Sequence, residues 1–480
     1  MKQIFLVSTF FELVCLAAGV DAGVYDSDAA PALRGTGGVD PTGGTGSDRE
    51  RILLVSNNAA VLELSRPLTQ TPGAESLVAR FDRVIDLNAA VAPLHPSTWR
   101  PSGNDIPMIE AHLRSSWGLG DEPIELVLES PQVNPAIALG RVFSTATIRV
   151  HADGLMSYGP TRNQIPLTNG QRMSTLHYLP LVPGLSPRLL AEFGIVAQPL
   201  SLEAFGAVVT ELGEATKSEL DAALPDIGPD QPWAFAVGQY LAALGLLTDD
   251  EETALHVEMI ERAAERGFDD IVFKPHPAAP PSQLEPLFDA ANRLGVTLTV
   301  LDVPVLAEVV VDRLRPDLVI GGFSTALATA RAVYSVPALA VGTGPLLEAI
   351  TPYQNGNRIP LTIIAEVCDG SEPKEDEDRT DLAALIETVS YCMGPEVSRD
   401  LRGRAIAYLD QIFATPGDKR VRRYFKRRRL TSLDLPGGST RRVTPKRFAR
   451  RTGLLAVRLA SRQKRRLTER ARTRSRADGA

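Results

Sequence analysis

A lysine and a histidine held between prolines stand where one apolar segment of the chain ends. In DDIVFKPHPAAP, residues 269–280, Lys274, His276 and Pro277 follow a run typical of a buried β-strand. Parallel α/β sheets bind ligands at the carboxyl ends of their strands, and proline restricts the backbone on both sides of the imidazole. A protonated His276 could therefore neutralise a phosphate leaving group. The alternative is an ordinary surface histidine in a proline-rich loop.

A second segment suited to phosphate contains Ser324, 48 residues after His276, in the stretch DLVIGGFSTALATA. Gly322 allows the backbone to approach a ligand closely, and Ser324 or Thr325 can cap the helix predicted to follow. The free N–H groups and the positive dipole end of such a helix bind anions. An N-cap after a strand is common by itself, but the two segments together favour a nucleotide-phosphate site.

The segments around these residues alternate between strand and helix patterns, as in parallel α/β folds. In the first half we predict strands at residues 3–8, 51–58, 83–87, 124–130 and 146–154, with a helix that follows the first strand and ends near residue 22. In the second half we predict strands at 233–239, 270–277, 296–302, 317–322 and 337–342, with helices at 249–266 and 324–334. The predicted fold class is α/β, with two Rossmann-like domains facing a cleft. This is the GT-B architecture of glycosyltransferases, in which one domain binds the acceptor and the other the donor nucleotide.

Length and composition set the domain limits. With 480 residues, of which 44% are hydrophobic, the chain is long enough for two cores. A break rich in proline and aspartate interrupts the periodic pattern at 224–232. We predict an acceptor domain at 1–223 with a flexible Gly- and Pro-rich loop at 26–50, that linker, a donor-nucleotide domain at 233–417 and a disordered basic tail at 418–480.

Charge is divided unequally along the chain. Residues 418–480 carry 23 Lys/Arg against 4 Asp/Glu, whereas the rest of the chain carries 28 against 54. Basic runs bind the phosphates of anionic lipids or of nucleic acid, mainly through charge. We expect the tail to contact an anionic membrane surface. A solvated tail without a partner is the alternative, and nucleic acid is the least favoured.

The N-terminal residues and the cysteines indicate the compartment. The first 23 residues partly resemble a signal peptide, but Glu12 interrupts the apolar stretch and no small-residue cleavage site follows. Cys15, Cys368 and Cys392 are odd in number and far apart, which predicts neither a disulfide framework nor a zinc site. We therefore predict a strand and a helix at the N-terminus of a cytoplasmic protein that is peripheral at the inner face of the membrane.

Three short motifs resemble those of the bacterial alpha-2,8-polysialyltransferase family and related bacterial sialyltransferases. The family carries two acids before a glycine, then His-Pro, then Ser-Ser or Ser-Thr. The corresponding stretches here are HADG (151–154), KPHP (274–277) and FST (323–325), and the resemblance spans about residues 1–415. It implies inverting transfer of sialic acid from a CMP-activated donor to a glycan or glycolipid acceptor, with no cofactor and no metal.

The resemblance also assigns roles to individual residues. His276 would be catalytic, and Glu308 would bind the hydroxyl groups of the donor ribose. The other expected donor-binding residues lie near the ends of predicted strands: Lys274, Pro277, Gly238, Gln239, Gly322, Ser324 and Thr325. Similar letters in HPSTW (95–99) and FSTAT (143–147) belong to the N-terminal half and are assigned to neither donor motif.

One position departs from the family pattern. Ala152 replaces the first of the two acids, which in relatives is taken as the catalytic base. We expect Asp153 to take over as base, with His151 as an accessory base if the strand continues and places both side chains on one face.

Two other functions and one other site stay open as alternatives. A related GT-B transferase could use another nucleotide donor, such as CMP-Kdo or CDP-glycerol, and the missing acid makes a non-catalytic nucleotide- or glycan-binding protein credible. The DxD-like acidic cluster KEDEDRTD at 374–381 is predicted to be a solvated loop rather than a metal site.

Overall fold

The computed structural model describes residues 1–27, 49–59, 67–225, 227, 231–276, 279–368, 376–414 and 419–439. The chain divides into a compact unit, Met1–Lys426, and a second unit that begins at Arg427. Pro277 of the KPHP motif and most of the predicted loop at 26–50 lie outside the described residues.

A seven-stranded parallel sheet forms the first half of the described chain. Its strands are β1 (Lys2–Val7), β2 (Glu50–Val55), β3 (Arg83–Asp86), β4 (Ile124–Leu128), β5 (Thr147–Ala152), β6 (Met173–Tyr178) and β7 (Val196–Pro199). They lie in the order β3-β2-β1-β4-β5-β6-β7. Every position of β4 is buried, as expected for a parallel strand covered on both faces.

A five-stranded parallel sheet forms the second half. Its strands are β8 (Trp233–Val237), β9 (Asp270–Lys274), β10 (Thr297–Val300), β11 (Leu318–Gly321) and β12 (Ala338–Ala340). They lie in the order β10-β9-β8-β11-β12. The two Rossmann-like sheets are typical of the GT-B fold, so the predicted fold class is confirmed.

Helices cover and connect the strands. In the first half they are α1 (Phe10–Asp21), α2 (Ala74–Val78), α3 (Leu87–Val91), α4 (Ile106–Ser116), α5 (Ala136–Val142), α6 (Leu167–Gly170), α7 (Leu202–Ala215) and α8 (Lys217–Ala223). In the second half they are α9 (Asp249–Glu265), α10 (Leu284–Leu294), α11 (Ala307–Leu314), α12 (Thr325–Tyr334), α13 (Thr343–Ala349), α14 (Arg358–Val367), α15 (Asp376–Met393), α16 (Arg402–Ala414) and α17 (Lys419–Arg422). Helix α18 (Arg427–Leu433) belongs to the second unit.

The predicted elements are present with ends shifted by a few residues. The first predicted strand and helix are β1 and α1, and β1 lies inside the sheet rather than at its edge. Strands β6 and β7 were not predicted. The six residues of β6 are all buried although they include Ser174, Thr175 and His177. A search for apolar runs therefore misses this core strand.

Strand order reverses once in each sheet. The reversal lies between β1 and β4 in the first sheet and between β8 and β11 in the second. Ligands of open α/β sheets bind outside the carboxyl ends of the strands at such a switch point. The second switch point is where Gly238, Gln239 and Gly322 follow their strands.

Helix α7 lies between the two sheets. It packs against α1 on one side and α11 on the other. At this contact Thr210 Oγ1 donates to Asp312 Oδ2 at 2.8 Å. The predicted domain and linker limits stay predictions.

Residues 419–426, at the start of the basic run, belong to the first unit. Tyr424 is fully buried, and its carbonyl oxygen accepts a hydrogen bond from Tyr353 Oη at 2.9 Å. Across the described residues, none of the helices has both the length and the apolar composition needed to cross a membrane.

Candidate donor-phosphate and base site

The loop between β11 and α12 is held by the side chain of Gln239. Phe323 N–H donates to Gln239 Oε1 at 2.9 Å, which joins the loop to the end of β8. A Cβ atom added to Gly322 would lie 2.7 Å from that same oxygen, so a larger residue here would displace the Gln239 side chain from this hydrogen bond. Gln239 therefore positions the predicted phosphate-binding loop.

Ser324 caps α12 as the sequence predicts. Its Oγ accepts from Ala326 N–H at 3.3 Å, and Thr325 is the first residue of the ten-residue helix. Both side chains are partly exposed. The N–H groups at the start of α12, together with two hydroxyls, offer donors to an anion at the switch point.

The ammonium group of Lys274 contacts the protein rather than open solvent. It ends β9, and its Nζ donates to the carbonyl oxygen of Val303 at 2.7 Å. Burial lowers the pKa of Lys274 to about 8, although the charges of Asp302 and Glu308 oppose this. The ammonium group stays mostly protonated at neutral pH and places positive charge behind the site.

His276 lies just beyond the end of β9 and is exposed. Its ring centroid is 6.3 Å from that of Tyr240, with a tilt of 40°. The pKa of His276 is lowered, first because the protein shields one side of the ring from water and second because of the positive charge of Lys274. A phosphate beside the ring would oppose both effects, because a negative charge favours the imidazolium.

Gly238 permits β8 and β9 to end side by side. Its N–H donates to the carbonyl oxygen of Lys274 at 2.9 Å. A Cβ atom added to Gly238 would lie 2.8 Å from the Phe273 ring. Packing against Phe273 therefore explains why a glycine occupies this position.

Glu308 is fixed by a neighbouring helix. It lies in the first turn of α11, is buried, and accepts a hydrogen bond from Thr329 Oγ1 of α12 at 3.0 Å. Burial raises the pKa of Glu308, while the Thr329 hydroxyl and the charge of Lys274 moderate the rise. The Glu308 carboxylate therefore lies beside the second turn of α12.

Gly154, which follows Asp153, lies beside the start of α12. They follow β5 in the first sheet, and a Cβ atom added to Gly154 would lie 3.4 Å from Thr325 Oγ1. Two motifs about 170 residues apart in sequence are therefore neighbours in space. Burial, and then the negative charges of Glu12 and Glu308, raise the pKa of Asp153 to about 7.

His151 is not paired with Asp153. It is 2% exposed, its Nε2 lies 3.0 Å from the carbonyl oxygen of Leu6, and burial lowers its pKa. Its buried Nδ1 has no hydrogen-bond partner among the described residues. Strand β5 ends at Ala152, so the alternation that would place both side chains on one face stops before Asp153.

Two buried acids near the first switch point were not predicted from the sequence. Glu12 is 7% exposed and accepts from the N–H groups of Ser8 and Thr9 in the capping box of α1; Glu129 is 5% exposed and directly follows β4. Their carboxyl groups are hydrogen-bonded to each other. Burial and then the contact with Glu12 raise the pKa of Glu129, whereas the N–H groups of Ser8 and Thr9 favour the ionised form of Glu12. A Thr-x-x-Glu capping box after a buried strand was the available signal.

Replacing Glu12 with glutamine should shift the pH profile of the reaction. The Glu12 charge raises the pKa of Asp153, so Glu12→Gln should lower that pKa toward its ordinary value. If Asp153 must be ionised to act, the acidic limb of kcat/KM should move to lower pH. The exposed Glu75→Gln variant is the matched control. An unchanged acidic limb in Glu12→Gln would mean that Glu12 does not act on Asp153.

His95 and the acidic cluster at 374–381 were assigned no role in the donor site. His95 is engaged within its own region, with Nδ1 2.7 Å from Ser97 Oγ and Nε2 3.0 Å from the carbonyl oxygen of Ala59. No group of three or more His, Cys, Asp or Glu side chains among the described residues could hold a metal ion. Of the acidic cluster at 374–381, residues 374 and 375 lie outside the described residues, and the rest begins α15, so the predicted loop is wrong for that part.

One family model matches most of the chain. The model described as "Alpha-2,8-polysialyltransferase (POLYST)" matches residues 3–343, which include HADG, KPHP and FST. No curated protein matches the chain.

Several solved structures resemble the fold at low sequence identity. UDP-GlcNAc 2-epimerase from Methanocaldococcus jannaschii is 13% identical, with a TM-score of 0.42 over 78% of this chain and 94% of that one. The GT-B domain of a sialyltransferase from Photobacterium damselae is 13% identical, with a TM-score of 0.38 over 76% of this chain and 96% of that one. MurG from Acinetobacter baumannii is 10% identical, with a TM-score of 0.35 over 84% and 94%.

Proposed function

Because this chain belongs to the alpha-2,8-polysialyltransferase family of glycosyltransferases, we propose that it transfers sialic acid from CMP-sialic acid to a glycan acceptor with inversion at the anomeric carbon. The observation that carries the proposal is the approach of Gly154 to Thr325. It supports the proposal because Asp153, which precedes Gly154 and has a raised pKa, would then act close to the helix start that we propose binds the phosphate.

In the proposed reaction Asp153 removes the proton of the acceptor hydroxyl group. The hydroxyl oxygen forms a bond to the anomeric carbon while the bond from that carbon to the phosphate oxygen of CMP breaks, and CMP leaves with the electron pair. Negative charge then develops on the phosphate, where the start of α12, Ser324, Thr325 and His276 stabilise it.

The raised pKa of Asp153 suits this role. A general base is most effective when its pKa lies near the working pH, because it is then both ionised and basic enough. An aspartate with a pKa of about 7 meets that condition near neutrality. The chain therefore retains one suitable carboxylate although Ala152 replaces the other acid.

We propose that the reaction needs no metal ion. The leaving phosphate would be stabilised by N–H groups, hydroxyls and the cations His276 and Lys274, which supply the charge that a divalent ion provides in other transferases.

Binding of CMP is the direct test of this proposal. CMP at a hundredfold excess over its Kd should stabilise the folded protein by about 2.7 kcal/mol, because it binds only the native state. Thermal unfolding with CMP, UMP and UDP, each with EDTA or with Mn²⁺, measures this. We expect CMP to act equally well in EDTA. Stabilisation by UDP with Mn²⁺ alone would contradict the proposed donor, and CDP-glycerol consumption without CMP-sialic acid consumption would favour the alternative transferase.

We also propose that the basic C-terminal residues hold the enzyme on the cytoplasmic face of an anionic membrane, near a lipid-linked acceptor. Residues 440–480 contain 15 Lys/Arg and 2 Asp/Glu. Each basic residue near such a surface contributes about 1 kcal/mol, which salt screens.

Removing residues 440–480 should abolish salt-sensitive binding to phosphatidylglycerol vesicles and leave CMP binding unchanged. The cut preserves Tyr424 and its contact with Tyr353. Co-sedimentation at low and high salt measures the binding, with phosphatidylcholine vesicles as the control. Equal sedimentation of the truncated and full chains would show that the membrane contact lies elsewhere.

A further inference from the structure

Helix α9 contacts the segment that follows β8 through two buried side chains. Glu252 is 0% exposed, and its carboxylate accepts hydrogen bonds from Leu241 N–H and, at 3.1 Å, from Ala242 N–H. His256 is 1% exposed, and its Nε2 accepts from Gln239 N–H at 3.4 Å. The two side chains are four residues apart and therefore lie on one face of α9. Three backbone N–H groups of the segment are thus bonded to this face.

The buried carboxylate restricts the conformation of the segment. A carboxylate removed from water is tolerated when N–H groups are fixed toward it. Any other path of the chain at Leu241 and Ala242 would leave Glu252 buried without these hydrogen bonds, which is costly. Glu252 therefore favours one position of the segment.

The imidazole of His256 is suited to accept a hydrogen bond. Its ring packs edge-on against Phe273, with 5.2 Å between the ring centroids, and its Nδ1 has no hydrogen-bond partner among the described residues. Burial lowers the pKa of His256 to about 4, so the ring is neutral near pH 7. Neutrality is required, because a protonated Nε2 could not accept from Gln239 N–H.

Gln239 connects these contacts to the loop before α12. Its backbone N–H donates to His256, whereas its side-chain Oε1 accepts from Phe323 N–H at 2.9 Å. Ser324, the N-cap of α12, is the next residue along the chain. A single residue therefore links α9 to the helix start at which we propose that the phosphate binds.

We propose that Glu252 and His256 are positioning residues for phosphate binding: they hold the backbone around Gln239, whose side chain holds the loop at the start of α12. The inference rests on the proposed function. Both residues act through Gln239, and neither is assigned a contact with the donor. The affinity for the phosphate of the nucleotide should therefore depend on two side chains buried behind the site.

The first test compares His256→Leu, which removes the acceptor, with His256→Gln, whose side-chain oxygen can accept in its place. Calorimetry with CMP and with ribose 5-phosphate gives each Kd. His256→Leu should weaken both ligands about tenfold, because both carry the phosphate, and His256→Gln should restore most of the affinity. The matched control is His177→Leu in the first half, where the histidine is also buried and neither ring nitrogen has a partner among the described residues. Both Kd values should be unchanged in this control.

A double-mutant cycle tests whether His256 acts through Gln239. If it does, the variant that combines His256→Leu with Gln239→Ala should bind CMP as Gln239→Ala alone does, because the second change has nothing left to position. A merely structural role of His256 would lower the unfolding temperature without this coupling in Kd.

Glu252→Gln keeps the inference testable if His256→Leu does not fold. The amide has nearly the shape of the carboxylate but offers one acceptor oxygen in place of two, so both ligands should weaken about threefold, again without effect in the Gln239→Ala background. Unchanged Kd values in the folded variants, or losses that add to that of Gln239→Ala, would overturn this inference and leave the proposed function intact. Absence of CMP binding in the wild-type protein would overturn both.

Discussion

Replacing Asp153 with asparagine should lower turnover by roughly 10² to 10⁴, the usual effect of losing a general base. The amide keeps the shape of the carboxylate but cannot accept the proton. CMP binding should stay nearly unchanged, because the phosphate contacts are assigned to the second sheet. The measurement is kcat for CMP-sialic acid together with the Kd of CMP.

The pH dependence of kcat/KM tests the same role of Asp153. Since the pKa of Asp153 is raised to about 7, the carboxylate becomes ionised as pH rises through that value. Wild-type kcat/KM should therefore increase with pH up to about 7 and then level off. The residual activity of Asp153→Asn should lack this limb.

Three companion variants separate Asp153 from its surroundings. Asp105→Asn, at an exposed aspartate of the first half, is the matched control and should be fully active. His151→Ala should lose less activity than Asp153→Asn, because His151 bonds the Leu6 carbonyl instead of Asp153. Ala152→Glu, which restores the family pattern, should be tolerated. A normally active Asp153→Asn enzyme would place the base on another residue.

Replacing His276 with alanine should reduce turnover about 10² to 10³-fold, the range seen when one stabilising group is lost from a transition state. The imidazolium matters most when negative charge develops on the departing phosphate. The Kd of CMP should change much less than kcat. Burial and then the charge of Lys274 lower the pKa of His276 in the free protein, and a bound phosphate would favour the imidazolium.

The hydroxyl pair should behave differently. Ser324→Ala with Thr325→Ala removes donors that hold the phosphate in both the ground state and the transition state, so CMP binding and turnover should both fall. The exposed His112→Ala on α4 is the control for the histidine change. Full activity in His276→Ala would remove that residue from the mechanism.

The sequence by itself determined the fold class and the order of the motifs. Apolar runs such as β4, β8 and β11 are buried at every position, so their composition alone identifies them. The Ser324 cap of α12 was equally predictable, because capping depends on residues within one helical turn. Strand β6 was not predicted, because its polar residues are buried by neighbours that are distant in sequence.

Only the tertiary structure decided which of these residues act together. The contact between Gly154 and Thr325 depends on how two sheets meet, and the separation of His151 from Asp153 depends on where β5 ends. The raised pKa of Asp153 arises from burial and from charges that no local pattern places beside it. Burial and electrostatic interaction are properties of distances in space, whereas propensity and capping are properties of adjacent residues.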